Sequence, residues 1–142
     1  GLARRCAERI AAANPSAFVL VTDGPLGSYS WANGELLYAP PLPVPEAAST
    51  AGAGDAFLAG ALAGLVCGLP LRKAAEDAYF GATPLESAVE FGTLLASFSV
   101  TSPDTIHRGA DARTLRAYAK ERGLALSPAF AAMFAAVDES VQ

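Results

Sequence analysis

Three observations predict an α/β layered domain with its strands gathered in the first third of the chain. The run Ala17-Phe18-Val19-Leu20-Val21-Thr22 is short, continuously apolar and bounded by turn residues, the pattern of a strand buried on both faces of a parallel sheet. Asn33-Gly34 stands between the strand-like runs Tyr29–Ala32 and Glu35–Tyr38, and both residues tolerate the positive φ of a type I′ hairpin turn. After residue 50 the pattern becomes helical, broken by glycine and proline, so helices are expected to pack on a small sheet.

Leu2, Cys6, Arg9-Ile10 and Ala13 recur at helical spacing until Asn14-Pro15 ends the segment. The first residue is Gly and no start signal precedes this helix, which reads as a chain entered in mid-helix and hence as a fragment. Asp23-Gly24-Pro25-Leu26-Gly27 is a tight loop after the first strand. Pro40-Pro41-Leu42-Pro43-Val44-Pro45 is too proline-rich for a central strand and reads as an extended path along the surface of one domain. A helix is predicted from Asp55 to about Cys67, ended by Gly68-Leu69-Pro70, and a second over Leu71–Phe80. A third is expected from Pro84 to Phe98, with Pro84 in its first turn. Asp111 and Ser127-Pro128 open two terminal helices, 111–122 and 128–138.

Composition bounds the function. The 142 residues suit one domain, which at that size buries roughly 70% of its unfolded surface. A hydrophobic fraction of 52% excludes disorder. Ten basic against fourteen acidic residues give a net charge of −4, which leaves no electrostatic footprint for nucleic acid. The longest uncharged run, Ala56–Leu71, has 16 residues and contains Pro70, short of the roughly 20 apolar residues of a membrane span. No secretory signal pattern opens the chain. Two cysteines, Cys6 and Cys67, and one histidine, His107, exclude a disulfide scaffold or a Cys/His zinc site and suit a reducing cytoplasm. No metal-ligand set is read.

The informative segment is Ser49-Thr50-Ala51-Gly52-Ala53-Gly54-Asp55-Ala56-Phe57. Small residues directly before a helix let several backbone N–H groups converge, and the helix dipole adds about half a positive charge there, so Ala51–Gly54 form an anion-binding cradle. The segment lacks the Gly-Lys-[Ser/Thr] ending of a Walker loop, and Gly52-x-Gly54 falls short of a dinucleotide fingerprint. Asp55 sits where cradle meets helix. Its carboxylate is placed to accept a proton from a hydroxyl while the amides hold a phosphoryl group. An acidic residue in a first helical turn is also an ordinary cap, and the segment alone favours that reading.

Thr50-Ala51-Gly52-Ala53-Gly54-Asp55-Ala56-Phe57-Leu58-Ala59-Gly60 resembles the second signature of the ribokinase-like (PfkB) carbohydrate kinases, Thr-x-Gly-Ala-Gly-Asp-x-Phe followed by a small-residue helix. Val21-Thr22-Asp23-Gly24-Pro25-Leu26-Gly27 resembles that family's nucleotide loop, and Ser99-Val100-Thr101 the end of its adenine-side helix. The three motifs occur in the family's order over about residues 15–105. The resemblance implies a three-layer α/β/α sandwich of which residues 1–142 are the C-terminal portion, the substrate and lid half having no counterpart here. It implies transfer of the γ-phosphate of ATP, with Mg2+, to a hydroxyl of a sugar or related metabolite. Asp55 takes the position of the catalytic base and Ala51, Gly52, Ala53 and Gly54 that of the anion hole. Thr22, Gly24 and Gly27 lie along the nucleotide. Thr93 lies near the adenine, or equally bonds its own helix backbone. The implied partners are ATP, a small sugar-like acceptor and either a second copy or the missing half.

Ser49-Thr50 is closer to the phosphofructokinase-like branch than to the Asp-Thr of ribokinase type, and Ser102-Pro103-Asp104-Thr105 departs from the usual Gly-Ala stretch. Both weaken a monovalent-cation site and leave sugar against sugar phosphate open. A nucleotide-binding module without catalysis and a vitamin-type kinase of the same fold are the alternatives. Of the remaining residues, Gly60 and Gly64 are expected to pack closely against the sheet, Cys67 to be buried, and His107 to lie at the surface without a catalytic role. Trp31 and Tyr38 are expected to pack on the sheet. Arg4-Arg5, Arg72-Lys73 and Lys120-Arg122 read as solvated helix faces.

Overall fold

The computed structural model describes residues 1–74, 79–80 and 83–140, with side chains described as far as residue 135. The expected strands form β1 (Val19–Thr22), β2 (Ser28–Ala32) and β3 (Glu35–Ala39), an antiparallel meander in the order β1-β2-β3. Asn33 and Gly34 take φ of 53° and 82°, the positive values that the hairpin turn requires. The parallel sheet expected around β1 is absent among the described residues. Thr22 pairs with Ser28 and Val19 with Trp31 across an antiparallel ladder, and among the described residues no strand lies on the other edge of β1. The apolar run therefore belongs to an edge strand, and Leu20 and Val21 are only partly buried.

Helices cover both faces of the sheet. On one lies α1 (Leu2–Ala13), with Ala7 and Ala11 against Val19, Tyr29, Trp31 and Leu36. The face of α1 read from spacing is the wrong one: Ala3, Ala7 and Ala11 are buried, while Leu2 and Ile10 are 71% and 49% exposed. Alanine lets the helix axis approach the sheet more closely than leucine would, so the small stripe wins the contact. On the other face α2 (Ala53–Val66) and α3 (Ala88–Ser99) bring Phe57, Ala61 and Val89 against Leu20 and Ala39. Beyond them α4 (Ala112–Glu121) and α5 (Pro128–Ser140) close the larger core, in which Phe91 lies against Phe130 and Phe134 with ring centroids 5.2 and 5.8 Å apart. The layers are thus helix, sheet, helices.

The α2–α3 contact is backbone on backbone. A Cβ on Gly60 would lie 2.8 Å from the Gly92 Cα, one on Gly64 2.8 Å from the Ala88 Cα, and one on Gly92 2.6 Å from the Phe57 carbonyl oxygen. Gly60 and Gly64 thus serve close packing, against a second helix rather than the sheet. Tight packing of this kind recovers in dispersion contacts what glycine costs a helix, about 1 kcal/mol relative to alanine.

α3 begins at Ala88, one turn after the expected Pro84. Ser87 Oγ accepts from the Glu90 N–H at 3.3 Å and Glu90 Oε1 accepts from the Ser87 N–H at 3.2 Å, a complete capping box. The helix expected over Leu71–Phe80 falls mostly outside the described residues, and Leu71–Ala74 carry no helical turn. Arg72 and Lys73 are not a solvated face. The Arg72 guanidinium donates to the carbonyl oxygens of Ser30 at 2.6 Å and Ala32 at 2.9 Å. Lys73 Nζ lies 3.0 Å from Glu90 Oε2, their side chains 1% and 0% exposed. A buried ion pair of this kind specifies one arrangement more than it adds stability. Arg122 also departs from expectation, donating to the Pro43 carbonyl at 3.0 Å and pairing with Glu46. This clasps the proline connector to α4, whereas Arg4, Arg5 and Lys120 are exposed. Cys67 is exposed rather than buried, because α2 runs out into solvent there.

Candidate functional site

Between the first strand, the proline connector and the facing ends of α2 and α3 lies a cleft of about 630 Å³, a size that suits a small organic ligand. Thr22, Gly24 and Gly27 line it on one side, Ala53 and Gly54 at the start of α2, and Thr93 on α3. Six of the nine site residues expected from the sequence therefore share one cavity. Ala51, Gly52 and Asp55 are not among its lining residues. They border it in sequence, Asp55 at the third position of α2 with an exposed side chain.

The start of α2 is built by glycine. Gly52 is the N-cap at φ 80°, without a side-chain cap. That left-handed conformation suits glycine, and a Cβ there would lie 2.1 Å from the Thr105 carbonyl oxygen. Gly54 is different: nothing stands within 4 Å of the Cβ it lacks. Two amides of the expected cradle are occupied internally, since the Ala51 N–H donates to Ser49 Oγ at 3.2 Å and the Ala53 N–H to the Thr50 carbonyl at 3.3 Å. Among the described residues no hydrogen bond occupies the N–H groups of Gly52, Gly54 and Asp55. The positive end of a 14-residue helix thus borders the cleft with open donors, of which that of Gly54 belongs to a lining residue.

The loop after β1 is a 3-10 turn, Gly24–Leu26, closed by the Asp23 N–H donating to the Gly27 carbonyl at 2.8 Å and by Tyr38 Oη donating to the Leu26 carbonyl at 2.9 Å. Gly27, at φ 102°, presses against the Ala39 carbonyl, leaving 2.4 Å to a Cβ, so its smallness serves the loop before any ligand. Thr93 lines the cleft while Oγ1 donates to its own helix at the Val89 carbonyl, 2.8 Å away, so the two readings of this residue coexist.

Other lining residues escaped the sequence reading. Pro40–Val44 form a wall, where the connector had been read only as a surface path. Ala96, Ser97 and Val100 extend the Thr93 face of α3. Their signal was the spacing of three, four and seven residues beyond Thr93, one face of a helix. His107 lies outside the cleft lining, half-buried, its ring stacked on Phe98 with centroids 4.3 Å apart. Tyr38 packs against Tyr29 with centroids 5.5 Å apart, and Trp31 packs under α1. Among the described residues no group of three His, Cys, Asp or Glu is placed to hold a metal ion, and no helix is long and apolar enough to cross a membrane.

No curated protein matches the chain. Among solved structures, a probable sugar kinase protein from Rhizobium etli CFN 42 superposes with a TM-score of 0.60 at 24% identity, over 84% of this chain and 30% of that one. The likeness is one of fold, ribokinase-like, and the chain spans less than a third of that neighbour's length. The model of the pfkB family of carbohydrate kinases matches residues 3–113, a stretch that holds the loop after β1, the glycine-built start of α2 and the whole of α3. The chain belongs to the pfkB carbohydrate kinase family.

Proposed function

We propose that the chain forms the nucleotide side of an ATP-dependent kinase whose acceptor is a hydroxyl of a sugar or related metabolite. The observation that carries this reading is the uncapped start of α2, with the N–H groups of Gly52, Gly54 and Asp55 left open beside a cleft of about 630 Å³. Gly54 and Asp55 are exposed, so their amides are free to exchange water for a ligand, and open amides at a helix start fit an anion. The space in front of Gly54 fits the same reading, being a volume that a Cβ would fill.

In this reading ATP supplies the terminal phosphoryl group, with Mg2+ carried on its phosphates. Thr22, Gly24 and Gly27 hold one side of the nucleotide and the α3 wall the other. Of the expected cradle Ala51–Gly54, the open amides of Gly52 and Gly54, with that of Asp55, steady the charge on the transferring group, those of Ala51 and Ala53 being bonded internally. Asp55 takes the proton of the acceptor hydroxyl as the hydroxyl oxygen bonds to the terminal phosphorus and the bond from that phosphorus to the bridging oxygen breaks, ADP leaving. Transfer of this type depends on positioning and charge stabilisation more than on base strength, so an aspartate at a helix start suffices. The acceptor site belongs to further protein. Leu58, Leu62 and Val66 follow one face of α2 at 53%, 53% and 87% exposure, and the outer edge of β1 is open. Both suit coverage by the rest of a kinase domain, in a reducing cytoplasm.

The test is Asp55→Asn in the complete kinase. Turnover falls by about 10²–10⁴-fold, the usual worth of a positioned base, while the ATP dissociation constant changes less than about threefold. Undiminished turnover removes Asp55 from the chemistry. A binding module without catalysis is the second reading, favoured by the absence of Asp55 from the cleft lining. It gives ATP binding and no turnover in the wild-type kinase.

A further inference from the structure

The connector is the wall of the cleft least able to hold itself in place. Pro40, Pro41 and Pro43 carry no N–H, and among the described residues 40–43 make no backbone hydrogen bond. The chain leaves the sheet at Ala39, paired with Ser28. Its backbone next bonds to another element at Ala48, whose N–H donates to the Val100 carbonyl at 2.7 Å. Between those points Leu42 packs against the larger core, and Arg122, at the end of α4, donates to the Pro43 carbonyl at 3.0 Å. A carbonyl is the polar group that a proline backbone has to offer, and a guanidinium, all donor and no acceptor, is matched to it.

Arg122 is itself held. Its guanidinium lies over the Tyr118 ring, 5.0 Å from the centroid, and Tyr118, 8% exposed, packs on Phe98 of α3 with centroids 5.1 Å apart. The side chain thus reaches the connector already ordered, and forming the bond costs less rotamer freedom. Its other arm meets Glu46 Oε2 at 3.3 Å, but that carboxylate is 76% exposed, so the ion pair adds little. The contacts Pro43–Arg122–Tyr118–Phe98 tie the connector to α3, whose Ser97 and Val100, flanking Phe98 in sequence, line the cleft. We infer that Arg122 is a positioning residue that sets the width of the cleft. It is not a lining residue, and it acts on a ligand through Pro43 alone. The inference rests on the proposal that this cleft takes ATP, and Arg122 belongs to none of the motifs described above.

The experiment measures the dissociation constant of ATP with Mg2+ by calorimetry, in the complete kinase and three variants. Arg122→Gln releases the connector and weakens ATP binding about threefold to tenfold, the worth of one hydrogen bond. Arg122→Lys keeps a donor and a charge at the same place and restores the affinity to within about twofold of wild type. Lys120→Gln removes an equal charge from an exposed position on the same helix end and leaves the affinity within about twofold of wild type. Rescue by lysine together with indifference at residue 120 separates the bond to Pro43 from attraction of ATP by positive charge. Wild-type affinity in Arg122→Gln overturns the inference and leaves the reading of the cleft intact. So does a loss in Lys120→Gln equal to that in Arg122→Gln, or an Arg122→Lys protein as weak as Arg122→Gln. Failure of ATP to bind wild type overturns the reading of the cleft itself. Should Arg122→Gln not fold, Arg122→Met, which keeps an apolar stem over Tyr118 and has no donor, takes its place with the same outcomes.

Discussion

The start of α2 and the starts of α3 and α4 face the same problem and solve it differently. Each helix begins with N–H groups that no preceding turn can satisfy. At α3 the side chains of Ser87 and Glu90 close a capping box, and at α4 those of Asp111 and Thr114 do the same, with Asp111 Oδ1 accepting from the Thr114 N–H at 2.7 Å. At α5, Ser127 Oγ accepts from the Phe130 N–H at 3.2 Å. α2 begins at Gly52 with no side-chain cap, and it is the start that borders the cleft. A cap of the Ser or Asp type would cost one residue change and add stability. Its omission is coherent where the donors are reserved for something outside the chain. A second contrast sharpens the first. Gly60, Gly64 and Gly92 lack a Cβ because another backbone already occupies the place, whereas Gly54 lacks one with open space before it.

Three substitutions separate these cases, and the largest effect belongs to Gly52. Its left-handed φ and the Thr105 carbonyl 2.1 Å from the missing Cβ set two penalties on Gly52→Ala. Backbone strain and forced movement together destabilise by about 2–4 kcal/mol, read as a lowered midpoint in urea unfolding. A midpoint within error of wild type means that the 101–110 loop does not rest on the start of α2, and the cradle is then less defined than its geometry implies.

Gly54→Ala reverses the balance. With nothing within 4 Å of the new methyl and a helical position to fill, the folded protein gains up to about 1 kcal/mol, since alanine is the better helix former. On the proposed reading the same methyl crowds the approach of a phosphate to the Gly54 amide, so ATP affinity is expected to fall by about tenfold, the worth of a charge-assisted hydrogen bond. A variant that is more stable and binds ATP as well as wild type does would make Gly54 another structural glycine and end the contrast.

How much of this was legible in the sequence depends on the range of the interactions involved. Asn33-Gly34, the start of α4 at Asp111 and the start of α5 at Ser127 are encoded within four residues, and the turn and helices appear where expected. The capping box Ser87-x-x-Glu90 was equally local, yet Pro84 was preferred as the start of α3. Apart from Cys67, exposed where α2 runs out into solvent, misreadings elsewhere share one cause, a partner distant in sequence. Arg72 bonds to carbonyls 40 and 42 residues away, Lys73 meets Glu90, and Gly60 meets Gly92; none of these can be inferred from spacing. α1 buries its alanines because a sheet face lies near enough to prefer them. In the cleft, the glycine loop was legible because its chemistry is contiguous. The connector wall was not, because only the tertiary fold brings Pro40–Val44 to the cleft, whereas Ser97 was within reach of the sequence at helical spacing from Thr93 and was passed over.

The smallest predicted effect concerns the side-chain cap that α4 carries and α2 does not. The Thr114 amide, donating to Asp111, holds that carboxyl below its ordinary value of 3.8. As acid is added, the unfolded chain therefore takes up its proton first. The stabilisation by this cap is fully present above about pH 4 and is lost as pH falls through the lower folded value. Thermal melts of wild type and Asp111→Ala across the acid range check this. Their difference in Tm is constant from pH 7 to about pH 4 and closes below it. A difference that persists unchanged at about pH 2 would assign the cap to shape rather than charge. A charge-dependent cap at α4 states in miniature what is proposed for α2: a negative group that accepts from the first amides of a helix adds to stability, and where no side chain caps them, a bound phosphate raises the melting temperature of the protein in its place.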